Sequence, residues 1–129
     1  MPNNIKEEGS SMTEKQTAEV IRRFNEVFQR HDPGAFAGLI AEDCVLENTG
    51  PAPDGARHVG REAALAVWTA LASNPEINFD LEEVFVAADR AVIRWRLRRG
   101  EGDDNSVRGV NLMRVRDGQI VEGMGYIKA

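Results

Sequence analysis

The chain has 129 residues, 42% of them hydrophobic, and a formal net charge of −5 at pH 7. This length fits one domain with a hydrophobic core of its own. The acidic balance argues against a nucleic-acid partner, which would need a basic surface, and no apolar run is long enough to cross a membrane.

The start of the chain and its cysteine content bear on location. Residues 1–12 lack the apolar segment and the small-residue cleavage site of a secretory signal, so they predict a flexible polar lead before a single domain over 13–129. Cys44 is the only cysteine, and no disulfide can form within the chain. A cytoplasmic location is therefore expected.

Three helices are predicted in the first part of the chain. Apolar residues recur at spacings of three and four over 13–30, which is typical of an amphipathic helix. Asp32 begins a second, short helix that runs to about Ile40. A third helix begins at Gly60 and ends near Ser73.

The strands are predicted from a different period. An early strand covers 44–48, and the proline- and glycine-rich segment 49–59 predicts an irregular loop, placed to act as a lid. Alternation of apolar and polar residues then predicts four consecutive strands over 79–87, 91–98, 107–116 and 120–127. The Asp117-Gly118 pair predicts a tight hairpin between the last two. The result is an α+β layout in which a curved sheet wraps around helices.

Two features of the predicted sheet concern its shape and its partners. Gly109, Gly123 and Gly125 are expected at bends or close approaches. The face that points away from the core carries arginines, acids and four apolar side chains, namely Val84, Val86, Val110 and Leu112. Because opposite charges can pair across strands, this mixture favours a homodimer interface over a nucleic-acid surface.

Several strings, in this order, resemble the SnoaL-like branch of the nuclear transport factor 2-like superfamily. They are FNEVFQRHDPGAFAGLIAEDCVLENTGPAPDG over 24–55, HVGREAALAVW over 58–68 and RVRDGQIVEGMGYIK over 114–128. The resemblance implies a cone-shaped α+β barrel, with three N-terminal helices packed against a curved, mostly antiparallel sheet that encloses a pocket. It also implies a homodimer packed through the sheets. Members include isomerases, polyketide cyclases, dehydratases and non-catalytic domains, so the fold alone does not give the function.

The steroid-isomerase branch of that superfamily implies positions for a catalytic site. Its helix-1 tyrosine falls on Phe24, its general-base aspartate on Asn48 and its second acid on Asn111. Phenylalanine has no hydroxyl to donate, and an amide has no carboxylate to accept a proton. The classical steroid-isomerase mechanism is therefore not expected.

What remains is a pocket with apolar walls and two amides, which is the usual composition of a ligand site. Its expected lining is Phe24, Asn48, Trp68, Trp95, Asn111 and Met113. Strand alternation sends Asn48 inward and Glu47 outward, although a local bulge would reverse this. If the chain is catalytic, Glu47 and His58 are the candidate acid or base. No metal site, nucleotide loop or other cofactor is predicted.

Two functions stay open at this point. The first is a pocket protein that binds an apolar molecule bearing a carbonyl or hydroxyl, as an isomerase, cyclase or dehydratase that moves protons next to a carbonyl. The second is a non-catalytic ligand carrier or association domain. The loss of the isomerase groups supports the second.

Overall fold

The computed structural model describes residues 2–100 and 105–128, with side chains from Met12 onward in these ranges. Helix α1 is Pro2–Arg30 and helix α2 is Arg61–Ser73. In the described residues the one further helical segment is a single 3-10 turn at Pro33–Phe36. The prediction of three helices was therefore wrong for the second, which was expected from Asp32 to about Ile40. The chain leaves the turn through Gly38 at a φ of 80° and is already extended from Ile40, so no room remains for a further helical turn.

Helix α1 has the apolar stripe that the sequence predicted, buried at Val20, Ile21, Phe24, Val27 and Phe28. It begins at Pro2 rather than at residue 13, so residues expected as a polar lead are helical; the domain boundary at 13 stays a prediction. The helix ends where His31 takes a φ of 52°. The His31 ring then joins three elements, because Nδ1 lies 3.0 Å from the Ala72 carbonyl oxygen and Nε2 lies 3.3 Å from Oδ1 of Asn78.

Six strands form one sheet in the described ranges, in the order β2-β1-β6-β5-β4-β3. They are β1 (Ile40–Glu47), β2 (Arg57–Val59), β3 (Ile77–Ala87), β4 (Arg90–Arg99), β5 (Ser106–Arg116) and β6 (Gln119–Ile127). All neighbouring pairs are antiparallel except β1 with β6. The sheet is curved. Strands β2 and β3 lie at opposite edges and do not pair with each other, so the sheet is open and is not a closed barrel.

Part of the predicted lid is a strand. The expectation that all of 49–59 is irregular was wrong, because Arg57–Val59 forms β2 and pairs with β1. The turn that precedes it is closed by the backbone N–H of Asn48, which donates to the Ala56 carbonyl at 2.8 Å. This turn folds the chain back so that β2 covers the edge of β1.

The hairpin between β5 and β6 confirms the Asp117-Gly118 prediction. Both residues have positive φ, 52° and 76°, and Arg116 lies opposite Gln119 across the ladder. Two consecutive positive φ values are those of a type I′ turn, whose twist matches that of the flanking strands.

The sheet has an inner face, which packs against α1 and α2, and an outer face. A bulge between Leu81 and Glu83 changes which residues of β3 face inward. Val84 and Val86 therefore lie opposite the buried Ile93 and Ala91 and pack against the core. Their prediction as outer-face residues was wrong. Phe85 lies on the outer face instead and is 54% exposed.

In the described part of the chain, neither α1 nor α2 combines the length and the hydropathy that a bilayer-crossing helix needs.

Candidate functional site

A cavity of about 260 Å³ lies between the two helices and the inner face of the sheet. This is close to the lower end of the range for small-molecule sites, roughly 300 Å³. The apolar wall includes Phe24, Phe28, Trp68, Leu71, Phe79 and Trp95. The polar lining consists of Asn25, Gln29, Glu47, Asn48, Thr49, Arg99 and Asn111.

The aromatic wall is held by edge-to-face contacts. Phe24 lies one helical turn from Phe28 on α1, and the two ring centroids are 5.0 Å apart at 70°. Phe24 also meets Trp68 of α2 at 5.0 Å and 76°. Such pairs stabilise beyond the area they bury and fix the ring orientations. The wall is therefore a packed surface that exists before any ligand enters.

Two glycines of β6 make room for this arrangement. A Cβ atom at Gly123 would lie 2.7 Å from Cζ2 of Trp68, which is closer than side chains approach in folded proteins. At Gly125 a Cβ would lie 3.1 Å from Cγ2 of Thr49 and 3.4 Å from Oδ1 of Asn111. The close approaches that the sequence predicted at these positions are thus present. They let the Trp68 ring pack on β6 and give the Asn111 side chain room beside Gly125.

The hydrogen bonds of the two amides define which atoms they offer to the cavity. Oδ1 of Asn111 accepts from the Trp95 indole N–H at 3.2 Å, and Oδ1 of Asn48 accepts from the Thr49 backbone N–H at 3.0 Å. Indole and backbone N–H groups can only donate, so the oxygen of each amide must be the atom that faces them. Neither amide NH₂ group has a partner among the described residues. Neither nitrogen is fully buried, so both can be reached from the cavity. The cavity is therefore supplied with two sets of donors.

Glu47 borders the cavity, but its carboxylate is occupied. Arg57 lies opposite it across the β1–β2 ladder and donates to Oε2 at 2.7 Å. Leu46, the next residue back along β1, is buried in the core, so alternation places Asn48 with Leu46 on the inner side.

Two further residues named from the sequence lie elsewhere. His58 lies in β2 opposite Leu46 and does not line the cavity. Met113 is completely buried, and its Cε lies 3.6 Å from the Cβ position of Gly123, so it belongs to the core beneath the cavity. Phe24, Asn48, Trp68, Trp95 and Asn111 are brought together around the cavity.

Sequence reasoning did not name four of the polar lining residues. Asn25 and Gln29 lie one turn apart on α1, beside the phenylalanine stripe. Thr49 follows Asn48 directly. Arg99 had a usable signal, since the alternation that turns Trp95 and Leu97 inward also turns Arg99 inward once β4 extends to its actual end.

Cys44 lies within β1 as a small buried side chain. It has no exposed surface, and burial raises the pKa of its thiol to about 11, with the charges of Asp43 and Glu122 adding to the effect. The thiol is therefore neutral at physiological pH and a poor nucleophile. Among the described residues, no three His, Cys, Asp or Glu side chains come together in a way that would hold a metal ion.

Comparisons with known proteins agree on the fold. A family model described as SnoaL-like domain matches residues 21–123. A solved NTF2-like protein of unknown function from Mesorhizobium loti is 64% identical, with 90% of this chain and 93% of that chain covered and a TM-score of 0.85. A search of curated proteins finds no match.

Two more distant structures have names that mention an activity. A "putative ketosteroid isomerase" from Kribbella flavida is 20% identical over 89% of this chain and 79% of that chain, with a TM-score of 0.74. A "putative polyketide cyclase" from Sinorhizobium meliloti is 23% identical over 83% of this chain and 93% of that chain, with a TM-score of 0.68. At these identities the likeness establishes a common fold.

Proposed function

This chain belongs to the SnoaL-like domain family, and from that premise we propose that it binds a small, mostly apolar molecule bearing a carbonyl or hydroxyl group. The observation that carries the proposal is the pair of amides, Asn48 and Asn111, whose NH₂ groups are unpartnered at an aromatic cavity. Apolar surface of the ligand would be buried against the aromatic wall, while its oxygen accepts from the amides.

The physical reason for an oxygen-bearing ligand is the cost of an unmade hydrogen bond. A ligand without an acceptor would displace water from the amide NH₂ groups and leave them unsatisfied, at a cost of about 1–3 kcal/mol for each buried donor. A carbonyl or hydroxyl oxygen replaces the water at no such cost. The two amides therefore select for an acceptor within an otherwise apolar molecule.

Ligand binding without chemistry is the function that the geometry supports best. Amides do not titrate, and the titratable side chains that line the cavity in the described ranges are Glu47 and Arg99. Glu47 is held by Arg57 in an ion pair. A carrier needs no acid or base, whereas an isomerase, cyclase or dehydratase does.

Tryptophan fluorescence tests the binding proposal directly. Trp68 and Trp95 are the two tryptophans of the chain and both line the cavity, so their emission reports on its occupancy. With methyl 9-oxodecanoate, a neutral ketone ester, as the probe, we expect a saturable change in emission. Asn111→Leu should weaken this binding about tenfold, because one set of donors is lost.

Two further variants make that experiment interpretable. Asn105→Leu alters an exposed asparagine outside the cavity and should leave the affinity unchanged. Asn48→Ala tests the second amide, which matters because Asn111→Leu also removes the partner of the Trp95 indole and can weaken folding. Unaltered affinity in both cavity variants would refute the amide assignment.

Catalysis is the second candidate, and the position of Glu47 at the cavity border favours it. Proton transfer next to a carbonyl would require Glu47 to leave Arg57 and act as the base. Deuterium uptake from solvent into the probe, next to its ketone, is the direct readout by NMR. Uptake that Glu47→Gln abolishes would support an enzyme of the isomerase or cyclase kind; uptake no faster than in buffer would support the carrier.

The assembly and location of the protein also belong to this proposal. We propose a homodimer through the outer face, since Val59, Phe85, Leu112 and Tyr126 are exposed there. Most arginines of that face are already paired with acids, as Arg94 is with Glu83 and Arg108 with Glu82, so an approaching copy meets little net charge. A cytoplasmic location is proposed on the single cysteine.

A further inference from the structure

Arg99 is the cationic side chain of the cavity lining in the described ranges. It is the last residue of β4 and lies two positions beyond Leu97, whose side chain packs against the core, so alternation places it on the inner face. Arginine side chains on the outer face of the same strand, at positions 94, 96 and 98, alternate with it. The chain thus turns one arginine of β4 toward the cavity and the others away from it.

The outer-face arginines of β4 have hydrogen-bond partners, whereas Arg99 has none among the described residues. On the outer face Arg94 donates to Glu83 at 2.8 Å, Arg96 donates to Ser106 at 2.9 Å and Arg98 donates to Asp80. Arg99 has no ion-pair or hydrogen-bond partner of its side chain among the described residues. No described residue therefore occupies the donors of its guanidinium, and all of them point to an acceptor other than these side chains.

Arg99 also lies far from the amides along the sheet. Ile93 is the β4 residue opposite Asn111, and Arg99 follows it by six residues, so the backbone at these positions is roughly 20 Å apart. Because both side chains line one cavity, the guanidinium and the amide approach each other more closely than the backbone does. The amides of Asn48 and Asn111 thus lie toward one end of the cavity and the cation of Arg99 toward the other. The aromatic wall lies between them.

We propose that Arg99 anchors a carboxylate, and that the natural ligand is an elongated apolar acid with a carbonyl or hydroxyl at the end remote from the carboxylate. The inference rests on the proposed function, because it assigns a charge to the ligand of the same cavity. A guanidinium matches a carboxylate by two parallel hydrogen bonds, which makes arginine the side chain best suited to this group. Asn25 and Gln29 also line the cavity and supply further donors.

The test compares two probes that differ only in charge, 9-oxodecanoate and its methyl ester. Both contain the ketone and the same apolar chain. Titration by tryptophan emission should show the acid binding at least about tenfold more tightly than the ester in the unaltered protein. The preference should shrink as salt is added, because Arg99 is exposed in the free protein.

Arg99→Gln should bring the acid to the affinity of the ester and leave the ester unchanged. Arg96→Gln is the matched control, since it removes a charge from the same strand on the outer face, and it should keep the preference intact. Equal binding of both probes, or a preference that survives Arg99→Gln, would overturn the carboxylate assignment while the proposed function stands. Binding of neither probe would overturn both.

Discussion

Asn48 and Asn111 owe their roles to the groups beside them rather than to their own residue type. Each amide oxygen is used by a neighbouring N–H, of Thr49 and Trp95 respectively. An asparagine without such a neighbour presents a donor and an acceptor alike, and a ligand could use either. Here the local bonds remove the acceptor, so the residue acts as a donor.

At this scale strand parity and the family overlay both directed Asn48 and Asn111 inward, and both residues lie at the cavity, while their role as ligand contacts stays a prediction. Asn48 and Asn111 line the cavity because each follows the parity of a buried neighbour, Leu46 and Met113. Met113 itself is completely buried, with its Cε 3.6 Å from the Cβ position of Gly123, so it packs beneath the cavity instead of lining it. Arg99 was missed because the predicted strand stopped at Arg98, one residue before the end of β4.

Cys44 provides a prediction at the residue scale. Because burial raises the pKa of its thiol to about 11 from a usual 9.0, the folded chain should not react with iodoacetamide at pH 8, whereas the unfolded chain should. Mass spectrometry of the two samples checks this. Rapid labelling of the folded chain at pH 8 would show that Cys44 is not buried as described.

The same shift gives a pH dependence of stability. Between pH 8 and 10 the unfolded chain loses most of its thiol proton while the folded chain keeps it, so the free energy of unfolding should fall as pH rises, by about 1 kcal/mol. Urea unfolding at pH 8 and pH 10 measures this loss. Cys44→Ala lacks the thiol and should lose less; an equal loss in both proteins would contradict the expected contribution.

At the scale of elements, the order of strands β3 to β6 and the β5–β6 hairpin follow from local patterns, and the exceptions have local causes. The bulge in β3 lies within Asp80-Leu81-Glu82-Glu83, where two adjacent acids give no sign of which one is the extra residue. The bulge reverses which residues of β3 point inward beyond it, so Val84 and Val86 face the core. Strand β2 was not predicted because proline and glycine dominate the segment before it. It forms by pairing with β1, which its own residues do not indicate.

Gly123 offers a test of how α2 packs on β6. Gly123→Ala would place a methyl group 2.7 Å from the Trp68 ring, so either the ring or the strand must shift. We expect a loss of about 1–3 kcal/mol in the free energy of unfolding, as for other overpacked cores. Thermal or urea unfolding followed by circular dichroism measures it.

Gly34→Ala is the control for that variant. A Cβ at Gly34 would meet only Oδ1 of Asp32 at 3.6 Å, which is an ordinary contact, so the change should be within about 0.5 kcal/mol. Equal effects of the two substitutions would mean that Trp68 does not pack on β6 as described.

At the scale of the whole molecule, the open sheet leaves an outer face that nothing in the chain covers in the described ranges. Phe85 and Tyr126 are each 54% exposed on it, and Leu112 is 38% exposed. Apolar side chains grouped on one face indicate an interface more often than free surface. The sequence predicted the composition of this face only in part, because Val84 and Val86 had been assigned to it in place of Phe85.

Oligomeric state is the corresponding prediction. Size exclusion with light scattering at micromolar concentration should give the mass of a dimer, and Tyr126→Glu should give a monomer because it buries a charge in the interface. Ala70→Glu changes an exposed apolar residue of α2, the helix on the inner side of the sheet, and should remain dimeric. A monomeric unaltered protein would contradict the proposed interface.

The central claim is that the amide NH₂ groups of Asn48 and Asn111 hold an oxygen of the ligand. Side-chain amide resonances in a ¹⁵N-labelled sample test it most directly, assigned through Asn48→Ala and Asn111→Leu and followed while methyl 9-oxodecanoate is added. We predict that these two NH₂ pairs move downfield together with the Trp95 indole signal, while the amide of the exposed Asn105 stays in place. Saturable binding that leaves both pairs unmoved would contradict the account.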